Sequence, residues 1–250
     1  MRCRYREVAY LCSENFIDLQ VYPEYELPRF GGRRKKAKPT SDVQMELNIK
    51  NKKRRIARLL NTNFSENDIR LDLTYEEKHL PQDIIAAETN VKNYIRRLKT
   101  YAVKHGIELK YIWVTEQGSK SGRFHHHMVL TGGIPLSVLA EKWGRGYTTV
   151  KPLQFNELGI TALANYLMKS PVASGKATYH PSRNLQEPIR RTRSGRISRR
   201  QIEFMSTYTD SSVLERLYPG YKVVNISPYY NDVNGGFYFD VQLFKRGKRR

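Results

Sequence analysis

The sequence has only two cysteines, Cys3 and Cys12, in 250 residues. They lack the C-x-x-C spacing of a zinc site and are too few for a disulfide framework, so both are read as reduced thiols. No apolar run reaches the roughly 18 residues of a membrane span, and no signal-type apolar segment follows the N-terminus. No G-x-x-x-x-G-K-[ST] occurs, so a P-loop helicase is absent from the reading. Acidic residues are scarce: 24 Asp and Glu against 44 Lys and Arg leave a formal net charge of +20. That balance excludes a basic partner and favours a polyanion, nucleic acid before any neutral small molecule. The expectation is a soluble, cytoplasmic protein with no membrane contact.

Basic residues come in blocks, at Arg33–Lys36, Lys52–Arg55, Arg190–Arg200 and Lys245–Arg250. The blocks flank a stretch of cleaner periodicity and divide the chain into three parts: a basic N-terminal arm with a helix (1–65), a central domain (66–185), and a basic linker with a C-terminal β extension (186–250). In the centre, IRLDLTY (Ile69–Tyr75) alternates as a half-buried strand does. Between Pro81 and Gly106, the spacing of Ile84, Ala87, Val91, Tyr94, Ile95 and Leu98 predicts a helix. KYIWVTE (Lys110–Glu116), a GSKSG turn and GRFHHHMVL (Gly122–Leu130) predict a hairpin. A short helix over Pro135–Trp143, a strand over Tyr147–Val150 and a helix over Asn156–Ser170 complete the order. This β-α-β-β-α-β sequence predicts an α+β fold, the ferredoxin-like split βαβ with an antiparallel sheet. Tyr221–Ile226 and Phe237–Phe244 read as an added strand pair.

Half of the six histidines stand together at 125–127. On a strand, His125 and His127 share one face and His126 takes the other. With Ser119–Gly122 as the hairpin loop, Gln117 pairs with Phe124, and Glu116 falls opposite His125, beside both imidazoles. Such a His₂Glu set leaves coordination positions open for substrate and water. A slip of one residue would put Gln117 or Thr115 there instead, and a basic hydrogen-bonding strip without metal accounts for the same histidines. Further along, ANYLMKS places Tyr166 and Lys169 three apart on one helical face. A phenol, with an ordinary pKa near 10, attacks phosphate only with help for its proton and its charge. An ammonium beside the phenolate and a metal on the phosphate would supply that help.

At these residues a family resemblance emerges. FHHHMVL resembles the His-hydrophobe-His motif of the HUH endonucleases, YLMK resembles their Tyr-x-x-Lys motif, and IRLDLTY sits where the strand-borne first motif of rolling-circle replication initiators lies. The resemblance runs from Asp68 to Asn184 and is to replication-associated proteins of small phages and phage-like elements. One departure is His126, which stands where the motif has an aliphatic residue.

The resemblance implies nicking of single-stranded DNA at a replication origin through a 5′-phosphotyrosine link. A 3′-hydroxyl is freed for rolling-circle replication, and the strands can later be rejoined. Tyr166 would be the nucleophile and Lys169 the partner of the phosphate or phenolate. His125, His127 and Glu116 would hold Mg²⁺ or Mn²⁺, although the ligand types alone do not separate these ions from zinc. Arg183 would contact phosphate. Arg190, Arg191, Arg193 and Arg196 would track DNA backbone with salt-sensitive affinity. A host helicase and polymerase would be partners. Two alternatives use the same residues: a non-catalytic RNA- or DNA-binding module, disfavoured because histidines stand where stacking aromatics belong, and a single-tyrosine transposase or relaxase acting on different DNA.

Overall fold

The computed structural model describes residues 4–25, 42–119, 121–175, 177–231 and 235–247. Cys3, the Arg33–Lys36 block and the last three residues lie outside the described residues. In chain order the elements begin with β1 (Arg4–Leu11), β2 (Phe16–Glu24), α1 (Asp42–Asn63), β3 (Ile69–Leu73), α2 (Ile84–Lys104) and β4 (Tyr111–Gln117). There follow β5 (Phe124–Leu130), α3 (Leu136–Trp143), β6 (Thr148–Pro152), α4 (Thr161–Leu167), β7 (Pro171–Val172) and β8 (His180–Pro181). The chain ends with β9 (Ile189–Ser194), α5 (Arg199–Tyr208), α6 (Ser212–Leu217), β10 (Tyr221–Asn231) and β11 (Gly236–Lys245). No described helix is long and apolar enough to cross a membrane.

The elements form two compact units. A central unit holds residues 63–155 and 160–186, and a terminal unit holds 1–62, 156–159 and 187–250. The central sheet runs β6-β3-β5-β4-β7, with β8 also on β4, and every pairing is antiparallel. This is an α+β arrangement of the kind the order of elements predicts. Asp83 starts α2 by accepting a hydrogen bond from the Ala86 amide, and Gly106 follows its end with a φ of +67° that glycine adopts without strain. One face of the sheet presents Leu71, Leu73, Trp113, Met128 and Leu130 to Val91, Tyr94 and Leu98 of α2 and to Leu139 and Trp143 of α3. The other face carries polar side chains and meets α4, whose Tyr166 ring lies against His127.

The second predicted helix is shorter than Asn156–Ser170. Asn156 accepts a hydrogen bond from the Leu158 amide and bridges to Gly159, whose φ is +61°, so this stretch closes as a turn instead of opening a helix. At the other end, Pro171 and Val172 pair with β4.

The terminal unit corrects the reading of an N-terminal arm and a separate C-terminal extension. Residues from both chain ends build one five-stranded sheet, in the order β10-β11-β2-β1-β9. The hairpin β1–β2 is absent from the sequence reading, and the expected linker supplies β9 as the partner of β1. Alternation sends Ile17, Leu19 and Val21 of β2 into a core with Ile202 and Met205 of α5 and Val213 and Leu214 of α6. Asp18 on the opposite face meets Arg58 of α1, and Asp240 of β11 meets Lys50 and Arg54. The basic block of α1 is thus largely held by carboxylates of its own unit. Cys12 is buried and forms no disulfide; burial and the Asp18 charge push its thiol up to about 12.

Candidate active site on the polar face of the central sheet

Antiparallel pairing sets which side chains meet. Glu116 lies opposite His125 and Gln117 opposite Phe124, the register that a four-residue loop predicts. On its other side β5 pairs with β3, and Asp72 falls opposite His127. The three residues of the histidine run therefore have distinct surroundings.

His126 points into the core and is fully buried. Its Nε2 is 2.8 Å from the Tyr75 hydroxyl and its Nδ1 is 2.9 Å from the Thr115 hydroxyl, with Trp113 and Trp143 packed edge-on around the ring. Burial, with the neighbouring His127 and His125, pushes its pKa down to about 3, so the ring is neutral. The histidine at the motif's aliphatic position is thus a core residue with both nitrogens satisfied.

His127 lies between two carboxylates. Its Nδ1 is 2.6 Å from Asp72 Oδ1 and its Nε2 is 3.1 Å from Glu116 Oε2. Asp72 in turn accepts from Arg70 at both oxygens, at 3.0 and 2.8 Å. Burial opposes the Asp72 charge, but the hydrogen bonds from His127 and Arg70 outweigh it and hold the carboxyl below its ordinary range. His125 shares this face. Its Nε2 lies over the hairpin turn, 3.3 Å from where a Cβ on Gly118 would sit, and burial followed by the His127 charge lowers its pKa.

Tyr166 stands beside this cluster. Its ring is edge-on to His127 at 5.1 Å between centroids, and the Arg70 guanidinium lies 4.1 Å from the ring centre. The side chain is 40% exposed, open enough for a strand to reach. A groove of about 420 Å³ runs past it, lined by Arg70, Lys151, Gln154 and Leu163 among others. Lys169 follows the end of α4, tied to Tyr166 by its amide at 3.1 Å from the Tyr166 carbonyl, and is exposed.

The sequence reading misses Arg70 and Asp72. Both lie on the polar side of a strand scanned for its apolar side, and alternation alone puts them on one face with β5 positions 125 and 127 once β3 is known to pair with β5.

For a divalent cation, the donor chemistry fits: two imidazoles and two carboxylates share one face of three adjacent strands. Among the described residues, however, no three His, Cys, Asp or Glu side chains are arranged to hold an ion. The His127 nitrogens face carboxylates and the His125 Nε2 faces the turn.

Among the arginines, Arg183 is exposed between two anchored neighbours. Ser182 Oγ accepts from the Tyr111 amide at 3.1 Å, and Asn184 donates to the Leu109 carbonyl at 3.3 Å. Arg190, Arg191 and Arg193 are exposed along β9. Arg196 differs from its reading as a backbone contact: its guanidinium forks onto the buried Glu7 carboxylate at 3.0 and 2.7 Å.

Residues 69–171 match the family model of the replication-associated protein ORF2. That span runs from β3 through β7 and contains Arg70, Asp72, Glu116, His125, His127, Tyr166 and Lys169. A stretch of 73 residues is 37% identical to Replication-associated protein ORF4 of Chlamydia phage 1, covering 29% of this chain and 18% of that protein. No solved structure matches. The central sheet and the helix bearing Tyr166 are therefore similar to part of replication-associated proteins.

Proposed function

We propose that the chain is a phage-type replication initiator that nicks single-stranded DNA at an origin and becomes joined to it through Tyr166. The observation that carries this reading is Tyr166, exposed on the polar face and flanked by the Arg70–Asp72–His127–Glu116 network. The similarity of residues 69–171 to replication-associated proteins supports the choice of DNA as substrate.

In the reaction, the Tyr166 phenolic oxygen attacks a backbone phosphorus and the bond to the 3′ oxygen breaks. The departing 3′ oxygen ends as a hydroxyl, the phenol having lost the proton. One phosphodiester replaces another, so attack by a 3′-hydroxyl on the phosphotyrosine rejoins the strand without an energy source. Arg70, fixed in orientation by both Asp72 oxygens, and Lys169 supply positive charge beside the nucleophile and the phosphate. Lys151 extends that charge along the groove and guides the strand past Tyr166. Asp72 fixes the His127 ring through Nδ1 and leaves Nε2 turned toward Glu116.

His125, His127 and Glu116 are the residues that would hold Mg²⁺ or Mn²⁺, with Nε2 of His127 exchanging its hydrogen bond for the ion. When bound, the ion supplies a Lewis acid to the scissile phosphate. The 3′-hydroxyl released would prime a host polymerase, and a host helicase would open the duplex ahead of it.

The test is a denaturing gel of the chain incubated with labelled single-stranded DNA from its own replicon and Mn²⁺, wild type beside Tyr166→Phe. A protease-sensitive, slow-migrating DNA band in wild type alone is expected. The same band in Tyr166→Phe would end the assignment.

A further inference from the structure

The terminal unit has a concave site of its own. β9 is the edge strand of that sheet, and all of its residues are exposed. Its register sets Arg191 opposite Ala9 and Arg193 opposite Glu7, so these two arginines share one face while Arg190 and Thr192 take the other. On the first face is a cavity of about 330 Å³, lined by Glu7, Ala9, Leu11, Arg191, Arg193 and Tyr218 together with apolar neighbours. The volume lies within the roughly 300–1,000 Å³ range of pockets for small organic groups. The small side chain of Ala9, between Glu7 and Leu11, leaves the floor open.

The wall of this cavity is rigidly built. Glu7 is 1% exposed, receives both Arg196 hydrogen bonds, and accepts a further one from the Tyr218 hydroxyl at 3.2 Å. That anchor fixes the Tyr218 ring and occupies Arg196. Arg191 and Arg193 remain without an ion pair among the described residues, whereas Lys50, Arg54, Arg55, Arg58 and Arg246 of the same unit are each paired to a carboxylate. Two unpaired guanidiniums above an apolar, aromatic-walled hollow suit a planar body attached to an anion.

We propose that this pocket takes one unpaired nucleotide of single-stranded DNA, its base against Tyr218 and the apolar floor and its phosphate on Arg191 and Arg193. A duplex keeps its bases stacked and paired and cannot offer one to a hollow of this size, so the site selects single strands. The pocket belongs to the terminal unit and does not depend on the chemistry at Tyr166.

The experiment uses the full chain carrying Tyr166→Phe, so that binding is read without cleavage. Anisotropy titrations with labelled oligodeoxythymidylate and with a labelled duplex are compared for Arg191→Ala, Arg193→Ala and Arg190→Ala, each checked by thermal melting. The first two should each weaken single-strand binding about tenfold and duplex binding less, and Arg190→Ala should change either little. Equal losses for all three arginines, or equal losses on both DNAs, would overturn the pocket in favour of a non-selective electrostatic strand. A strand bearing 5-iodouracil should photo-crosslink to the peptide containing Tyr218, in a yield that Arg191→Ala and Arg193→Ala reduce. Crosslinks confined to other peptides would also overturn it. Because the nucleophile is absent throughout, the result stands whether or not Tyr166 proves to cut DNA.

Discussion

On one face of the central sheet, His126 is enclosed by Tyr75, Thr115, Trp113 and Trp143 and is neutral; on the other face, one residue along, His127 lies between the carboxylates of Asp72 and Glu116. The two imidazoles are adjacent in sequence and share a strand. What separates them is the strand period, which sends one into the α2 and α3 core and the other toward α4 and Tyr166. A histidine's neighbours decide its part in the protein: hydroxyls and indoles make it a piece of the core, while carboxylates and an exposed phenol make it a piece of a reactive surface.

The comparison breaks most readily on the polar face. Asp72→Asn keeps the size of the side chain but removes the charge shared by Arg70 and His127. We predict a cleavage rate lower by about 10–100-fold in single-turnover assays, with the unfolding midpoint little changed. A rate within a factor of about two of wild type would show that the Arg70–Asp72–His127 network does not serve the chemistry.

On the apolar face the expected effect is on stability. His126→Phe removes the partner of the buried Tyr75 and Thr115 hydroxyls and should cost about 2–4 kcal/mol in denaturant unfolding, while folded molecules keep their cleavage rate. A large loss of rate with unchanged stability would reverse the roles assigned to the two faces.

The smallest effect is a pH dependence. Burial lowers the His126 pKa from 6.5 to about 3, so the unfolded chain takes up this proton before the folded one. The associated stability is fully present above about pH 6.5 and is lost as the pH falls from there toward about 3; at pH 5 the loss is about 2 kcal/mol. Asp72, held below 3.8, sheds its own contribution only under more acid conditions. Unfolding curves between neutral pH and pH 5 should therefore show a slope that His126→Phe flattens; an unchanged slope in that variant would assign the titration elsewhere.

Much of the central unit is legible in the sequence because its signals are local. The apolar alternation of IRLDLTY, the spacing from Ile84 to Leu98 and the loop between Gln117 and Phe124 each fix an element or a register within a short window. Arg70 and Asp72 are not legible as site residues, since their meaning depends on β3 lying beside β5, a pairing between strands far apart in the chain. The helix before Tyr166 reads too long in the sequence because Asn156 and Gly159 pass for helical residues, whereas together they make a turn. In the terminal unit the difficulty is greater. RYREVAYL and FIDLQVYPE alternate as strands, yet their partners β9 and β11 come from the far end of the chain, and the charge of the intervening segments suggests an arm. Arg196 shows the same limit: its place in an arginine-rich run suggests DNA, and only the fold brings it to Glu7.

The most direct test of the polar face as a nucleophilic site is mass-spectrometric mapping of the protein–DNA adduct after nuclease trimming and proteolysis. The chain has 17 tyrosines, so the position of the attached nucleotide discriminates sharply. The account predicts a nucleotide phosphate on the peptide containing Tyr166 and on no other. A nucleotide attached to any of the remaining tyrosines, with Tyr166 unmodified, would contradict it.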